Sequence, residues 1–139
     1  MARIVLTDAK VTINGVNLSD HIASITLNES ADVVETTAFS STAAKTRVAG
    51  LRDNSVTLEF HQDFASSSVE ATINGTSSLI GTVTSIVVQP TSGSVSATNP
   101  SYSFSALVSE WTSLNASVGE LSTASVTWPI SGAITKATS

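Results

Sequence analysis

A chain of 139 residues with net charge −5 and a pI near 4.7 has only six Lys plus Arg, too few for a face that grips nucleic acid through its phosphates. It has no cysteine, which excludes a disulfide framework and any thiolate metal site. Charged residues make up 12% while Ser and Thr fill roughly a third, a β-suited composition whose charge-poor surface fits burial in an assembly.

In chain order, Ile4 to Leu6 reads as a short apolar strand. The run around it is too short for a signal-peptide core, and no stretch of the chain reaches membrane-spanning length. Val11 and Ile13 alternate with Lys10, Thr12 and Asn14, and Asn14-Gly15 supplies a two-residue hairpin turn before Val16 and Leu18. Ile22 to Glu29 is the next strand, with Ile25 and Leu27 on its core face and Ser24, Thr26 and Asn28 on the other.

A long inter-strand segment follows, residues 30–53, with Asp32 and Glu35 early and Lys45, Arg47 and Arg52 late. Segments of this length without structure are uncommon in compact domains and usually functional. Two readings stand for it. One is a solvated loop with incidental charges; the other, given Val33, Val34 and Phe39, is a projecting hairpin or arm.

The clearest strand lies within GLRDNSVTLEFHQDF, residues 50–64. Val56, Leu58 and Phe60 alternate with Ser55, Thr57, Glu59 and His61, giving one apolar and one polar face, and its parity suits pairing with the Ile22 strand. Asp53-Asn54 is turn chemistry, and Gly50 is expected to take a backbone angle that other residues resist. Asp63 is placed to cap a short helix over 64–74, where Ala65, Val69 and Ile73 recur at four-residue spacing until Asn74-Gly75 ends it.

Val83 to Gln89 is a strand stopped by Pro90, and residues 92–100 form a Gly/Ser/Asn/Pro loop. Tyr102, Phe104, Ala106 and Val108 alternate in a strand running to about Trp111. A loop hinged at Gly119 leads to the last strand, where Ala124, Val126 and Trp128 alternate with Thr123, Ser125 and Thr127 before Pro129. The small, polar tail, residues 131–139, is expected to be mobile or to latch onto a neighbour.

The expected architecture is a single mainly β domain over residues 1–139. It is a β-sandwich or open barrel of about six to eight strands with one short flanking α-helix. Its expected core includes Ile25, Leu27, Val56, Leu58, Phe60, Val69, Ile73 and Trp128.

Little in the chain points to catalysis. His21 and His61, with Asp20 and Asp63 nearby in sequence, fit metal ligation or a general base only loosely, and structural or surface roles suit them better. No serine lies in a G-x-S-x-G elbow, and no glycine run forms a phosphate loop. Asn17, Asn28, Asn74 and Asn115 match N-x-S/T, as chance supplies in so Ser/Thr-rich a chain. Trp111 and Trp128 are assigned to the core or a subunit contact. The expectation is a protein without enzymatic activity, metal or cofactor.

Three runs carry a family resemblance: GLRDNSVTLEFHQDF, the opening VTINGVNLSDHIASITLNESADVVETTAFS, and PTSGSVSATNPSYSFSALVSEW. Taken along the chain in the expected order, and over nearly the whole of it, they resemble the major tail tube proteins of long-tailed, siphovirus-type bacteriophages. The resemblance implies a β-sandwich with a flanking helix that forms hexameric rings stacked into a hollow tube, through which genomic DNA passes without tight binding. It implies as partners further copies of the chain, a tape-measure protein in the lumen, a tail terminator and distal tail or baseplate proteins. It also implies synthesis in a bacterial cytoplasm and residence in the virion, with no membrane partner.

On this resemblance the 30–53 segment engages the next ring, with Asp32, Glu35, Phe39, Lys45, Arg47 and Arg52 as contacts. The bases are expected to meet acids such as Asp32 or Glu35 of a neighbouring subunit. Strand edges are expected to pair between subunits and close a barrel. Ser24, Thr26, Asn28, Ser55, Thr57 and Glu59 are the lumen-facing candidates, since a basic wall would hold phosphates; the alternative for Glu59 is the outside or an interface. Two other functions compete. One is a head–tail joining or tail-terminator protein, and the other a bacterial immunoglobulin-like adhesion or carbohydrate-binding module.

Overall fold

The computed structural model describes residues 3–39 and 43–139; residues 40–42, inside the predicted long loop, lie outside the described residues. The fold is a mainly β sandwich with one short helix, and its sheets are all antiparallel.

The chain enters the sandwich through a tight hairpin. β1 (Lys10–Ile13) turns back into β2 (Val16–Asn17) through Asn14 at φ 51° and Gly15 at φ 82°. Both angles are left-handed, as the favoured two-residue turn requires, and Asn and Gly are the residues that tolerate them. After a 3-10 turn at Ser19–His21, β3 (Ile22–Asn28) runs into a separate two-stranded ribbon, β4 (Ala31–Glu35) and β5 (Arg47–Arg52). The chain then returns as β6 (Ser55–His61), which pairs with β3 from Ile22↔Phe60 to Asn28↔Ser55. The helix α1 (Val69–Ile73) follows, then β7 (Val83–Gln89), β8 (Ser101–Leu107), β9 (Thr123–Pro129) and β10 (Thr135–Ala137).

One layer has the order β3-β6-β9 and the other β10-β8-β7-β1-β2. Their facing sides fill the core by strand alternation. Val56, Leu58 and Phe60 of β6 and Ala124, Val126 and Trp128 of β9 meet Val11, Ile13, Ile86, Phe104 and Ala106 of the other layer, all buried. Val69 and Ile73, one helical turn apart, bury α1 against the same core. Phe60 packs edge-on against Trp111 at 5.2 Å between centroids and tilted against Trp128 at 6.2 Å. The layers are joined at one corner, where the Ile130 N–H donates to the Asn54 carbonyl and the Ser131 N–H to the Ser105 carbonyl.

Several boundaries differ from the sequence reading. Ile4–Leu6 forms no strand, because no neighbour offers a ladder; the first strand begins at Lys10. The expected helix over 64–74 shrinks to Val69–Ile73, since residues 64–68 are spent on turns around Asp63. Asp63 accepts from the Ala65 N–H and the Ser68 hydroxyl, whereas Ser68 stands at the N-cap. β8 stops at Leu107, short of the expected Trp111. The tail is ordered as a strand: Thr135, Lys136 and Ala137 pair with Ser103, Tyr102 and Ser101. With this strand and the β4–β5 pair, the described residues contain ten strands, more than the six to eight expected.

Gly50 does not supply a left-handed angle. A side chain there would stand 3.1 Å from Val34 Cγ2 and 3.2 Å from Asp32 Cβ, so the position needs room at a bulge of β5. Ile25 and Leu27, placed in the core by parity, are only partly buried, because β3 is the edge of its sheet.

Candidate functional site

The outer face of the three-stranded sheet follows from the same alternation that builds its core. Across β3, β6 and β9 the side chains fall into rows: Ser24–Glu59–Ser125, Thr26–Thr57–Thr127 and Asn28–Ser55–Pro129. The hydroxyls of Thr57 and Thr127 lie 3.1 Å apart and hydrogen-bond across the strands. The six lumen candidates therefore share one face. Glu59 is the sole ionisable residue in these rows, and no cation accompanies it. Ser125 and Thr127 extend the face. Their alternation was visible in the sequence, but only pairing of β9 with β6 puts them there.

The two edges of this sheet differ. Along β9, the Thr127 N–H donates to Glu110 Oε1 and the Trp128 indole N–H to the Glu110 carbonyl, so a neighbouring segment covers that edge. β3 has no strand beyond it. Beside it runs a groove lined by Leu6, Ala9, Ile25, Leu27, Val88 and Tyr102, several of them apolar side chains left in reach of solvent. Val5 and Leu6, just ahead, are 82% and 53% exposed.

The β4–β5 ribbon stands away from the core. Every residue of both strands is exposed, including Val33, Val34, Val48 and Leu51, and Phe39 beyond β4 is fully so. Such a run of bare apolar side chains on a two-stranded ribbon is marginal in water. The ribbon is pinched at its base. The Asp53 N–H donates to the Ser30 carbonyl at 2.9 Å, the Ser30 hydroxyl to the Asp53 carbonyl at 2.6 Å, and the Ser30 N–H to Asn54 Oδ1. The side chain of Asn54 is thus used at the ribbon's root, which accounts for a buried polar residue there.

The ribbon's charges are arranged partly against expectation. Lys45 Nζ lies 3.5 Å from Glu35 Oε1 within the ribbon, and Arg52 Nη2 lies 3.0 Å from Glu29 Oε1. Two of the three expected intersubunit cations thus have partners in their own chain. Arg47 sits opposite Glu35 in register but makes no ion pair among the described residues, and neither does Asp32.

At the other end of β6, a cluster that the sequence reading missed organises the fold. Glu70 Oε2 accepts from the Trp111 indole N–H at 2.8 Å and from Gln62 Nε2 at 2.9 Å. Its Oε1 accepts from the Ser113 hydroxyl at 3.0 Å and from Asn74 Nδ2 at 3.3 Å. Burial penalises the charged carboxylate, yet these donors, Trp111 foremost, outweigh it and hold Glu70 below the ordinary glutamate range. Its partners come from three places in the chain, the end of β6 at Gln62, the helix end at Asn74 and the segment of Trp111 and Ser113, so no local pattern announces the whole set.

His21 Nε2 lies 3.3 Å from Asp63 and 3.7 Å from Asp20, while His61 is at the end of β6 beside Thr123. The Ala65 N–H, then the Ser68 hydroxyl and His21, hold the Asp63 carboxyl below its usual range. Among the described residues no group of three or more His, Asp or Glu is placed to hold a metal ion. No helix among them is long and apolar enough to cross a membrane.

No protein-family model matches the chain, and no curated protein sequence matches it. Solved structures do. One is a chain of the cryo-EM structure of the anti-feeding prophage (AFP) baseplate, 6-fold symmetrised, with a TM-score of 0.55 and 10% identity over 99% of this chain and 98% of that one. At this identity the likeness is one of fold.

Proposed function

We propose that the chain is a structural subunit of a phage-type tail, a tube protein whose hexameric rings stack into a hollow conduit for DNA. The observation that carries this reading is the β4–β5 ribbon, exposed over its whole length and fastened at its root, where Ser30 meets Asp53 and Asn54 and Arg52 meets Glu29. An element that loses so much by standing in water gains by meeting a second subunit. Three features support it. The full-length fold likeness is to a chain of a 6-fold symmetrised prophage baseplate. The Ser/Thr rows around Glu59 offer a wall without cations to hold phosphates. The bare edge of β3, which has no lysine, suits pairing with a neighbouring subunit within a ring.

In this reading the ribbon joins one ring to the next, the rows face the lumen, and the tape-measure, terminator and baseplate proteins are its partners. The protein is a building block rather than an enzyme. The baseplate neighbour favours one second reading, a ring former that closes a single layer at the tail tip and stops there.

Electron microscopy of the purified protein over a concentration series, with purified tail tips as seeds, tests this. Hollow tubes of stacked rings are expected, and single closed rings would move the assignment to the second reading. Because Ser30 and Asp53 already touch, residues 31–52 can be replaced by an Asn-Gly turn without straining the sandwich. That variant is expected to fold and to lose stacking. Tubes formed by it as readily as by the intact chain would remove the ribbon from the mechanism.

A further inference from the structure

We infer that the ribbon of one subunit docks on the opposite pole of a second copy, the end built from residues 111–123 with Phe64 and Asp20. This inference rests on the tube reading and adds the receiving surface to it.

The strands of the three-stranded sheet have two ends. The ribbon leaves at the end where Asn28, Ser55 and Pro129 pair. At the other end, roughly 20 Å away along seven-residue strands, lie Ile22, His61 and Thr123. There the segment 113–123 is folded into a loop by its own contacts: the Thr123 N–H donates to the Asn115 carbonyl and the Glu120 N–H to the Ser117 carbonyl. Two bonds from Gln62, to the Ser122 and Ser113 carbonyls, fasten it to the sheet. Trp111 and Ser113, held by Glu70, fix its start.

This anchored loop turns its large apolar residues outward. Leu114 is 77% exposed, Val118 is fully exposed and Leu121 is exposed, as is Phe64 two residues beyond Gln62. A loop fastened this firmly that still presents Leu, Val and Leu to water has the character of a preformed seat. The ribbon at the far pole presents the matching chemistry in Val33, Leu51 and Phe39.

The charges commit the occupant. Half of the six Lys and Arg of the chain, Lys45, Arg47 and Arg52, are on or beside the ribbon. The segments that form the receiving pole, 19–22, 60–74 and 111–123, contain no Lys or Arg and four carboxylates. Glu70 is saturated by internal donors, and Asp63 already accepts from the Ala65 N–H and the Ser68 hydroxyl beside His21. Glu120 and Asp20, the latter 82% exposed although it too lies near His21, are left for an incoming cation. Arg47 makes no ion pair among the described residues of its own chain. A contact between opposite poles is heterologous, so it repeats along an axis instead of closing a dimer.

The absence of cysteine allows a direct test. Chains carrying Val33→Cys are mixed with chains carrying Val118→Cys, assembled, oxidised and run on a non-reducing gel, with Leu51→Cys and Leu114→Cys as the second pair. Disulfide-linked 33–118 or 51–114 dimers confined to the assembled fraction are expected. In the same assemblies Arg47→Glu is expected to raise the concentration needed for assembly about threefold to tenfold, and Arg47→Glu combined with Glu120→Arg to restore it. Tubes that form yet link only 33 to 33 or 118 to 118 would overturn the pole-to-pole contact and leave the tube reading standing. Intact chain that forms neither rings nor tubes, even with tail tips added, would remove both.

Discussion

Glu70 illustrates how a single residue holds distant parts of this fold together. Four donors from Gln62, Asn74, Trp111 and Ser113 converge on its two oxygens. Glu70→Gln keeps the shape but replaces one acceptor oxygen by a donor facing donors. It is expected to cost roughly 1–2 kcal/mol at neutral pH, discounted for partial exposure. The folded-state pKa of Glu70 is depressed, so its stabilisation is complete above the ordinary glutamate range and fades as pH falls through the folded value. Urea melts of the two proteins are therefore expected to differ most near pH 7 and to converge from about pH 5 downward. A difference that grows in acid would contradict the charged network. None of this was legible in the sequence, where Glu70 is one acid in a short Ser-rich helix. By contrast Val56, Leu58, Phe60 and Trp128 could be assigned to the core by parity alone, and they are fully buried.

Among the elements, β10 and the ribbon are those whose identity sequence left open. β10 has three residues, two exposed and one partly buried, and its polar composition carries no strand signal. What makes it a strand is the free edge of β8, which Thr135 to Ala137 cover, with Lys136 lying 5.9 Å from the centre of the Tyr102 ring. Ending the chain at Gly132 is expected to leave the sandwich folded. It should speed amide exchange at Ser101 to Ser103 at least tenfold relative to β6, as local opening without global unfolding would. Equal protection with and without the tail would show that β8 does not depend on it. The ribbon was readable as loop or hairpin. Its alternatives differ by whether β4 and β5 find each other across the intervening residues, a pairing of Val34 with Val48 and Val33 with Ala49 that no short-range turn signal specifies.

At the scale of the whole molecule, one face of one sheet is the surface on which the conduit reading turns. If the rows of Ser24, Thr26 and their neighbours line a channel, a single cation per subunit is repeated around each ring and along the stack. Assembled Thr26→Lys tubes are then expected to retain short duplex DNA in low salt and to release it as salt rises, while unsubstituted and Thr26→Gln tubes do not retain it. Retention that is the same in all three would move this face out of the lumen. Thr26 is suited to the test because it is exposed on β3 opposite Thr57, where a longer side chain displaces no core residue.

By itself the sequence determined the class of fold, the Asn14-Gly15 turn, the pairing of the Ile22 and Val56 strands and the polar face they share. These follow from period-two alternation and turn chemistry, which act between near neighbours and need no knowledge of the rest of the chain. The tertiary structure alone decided which strand would be an edge. The edge at β3 leaves Ile25 and Leu27 half-open, and the edge at β8 makes the tail a strand. The tertiary structure also alone decided that Glu29 and Glu35 would engage Arg52 and Lys45 within the chain, leaving Arg47 unpaired among the described residues. Edges and ion pairs depend on which distant segments arrive beside one another, and alternation along one strand carries no record of that.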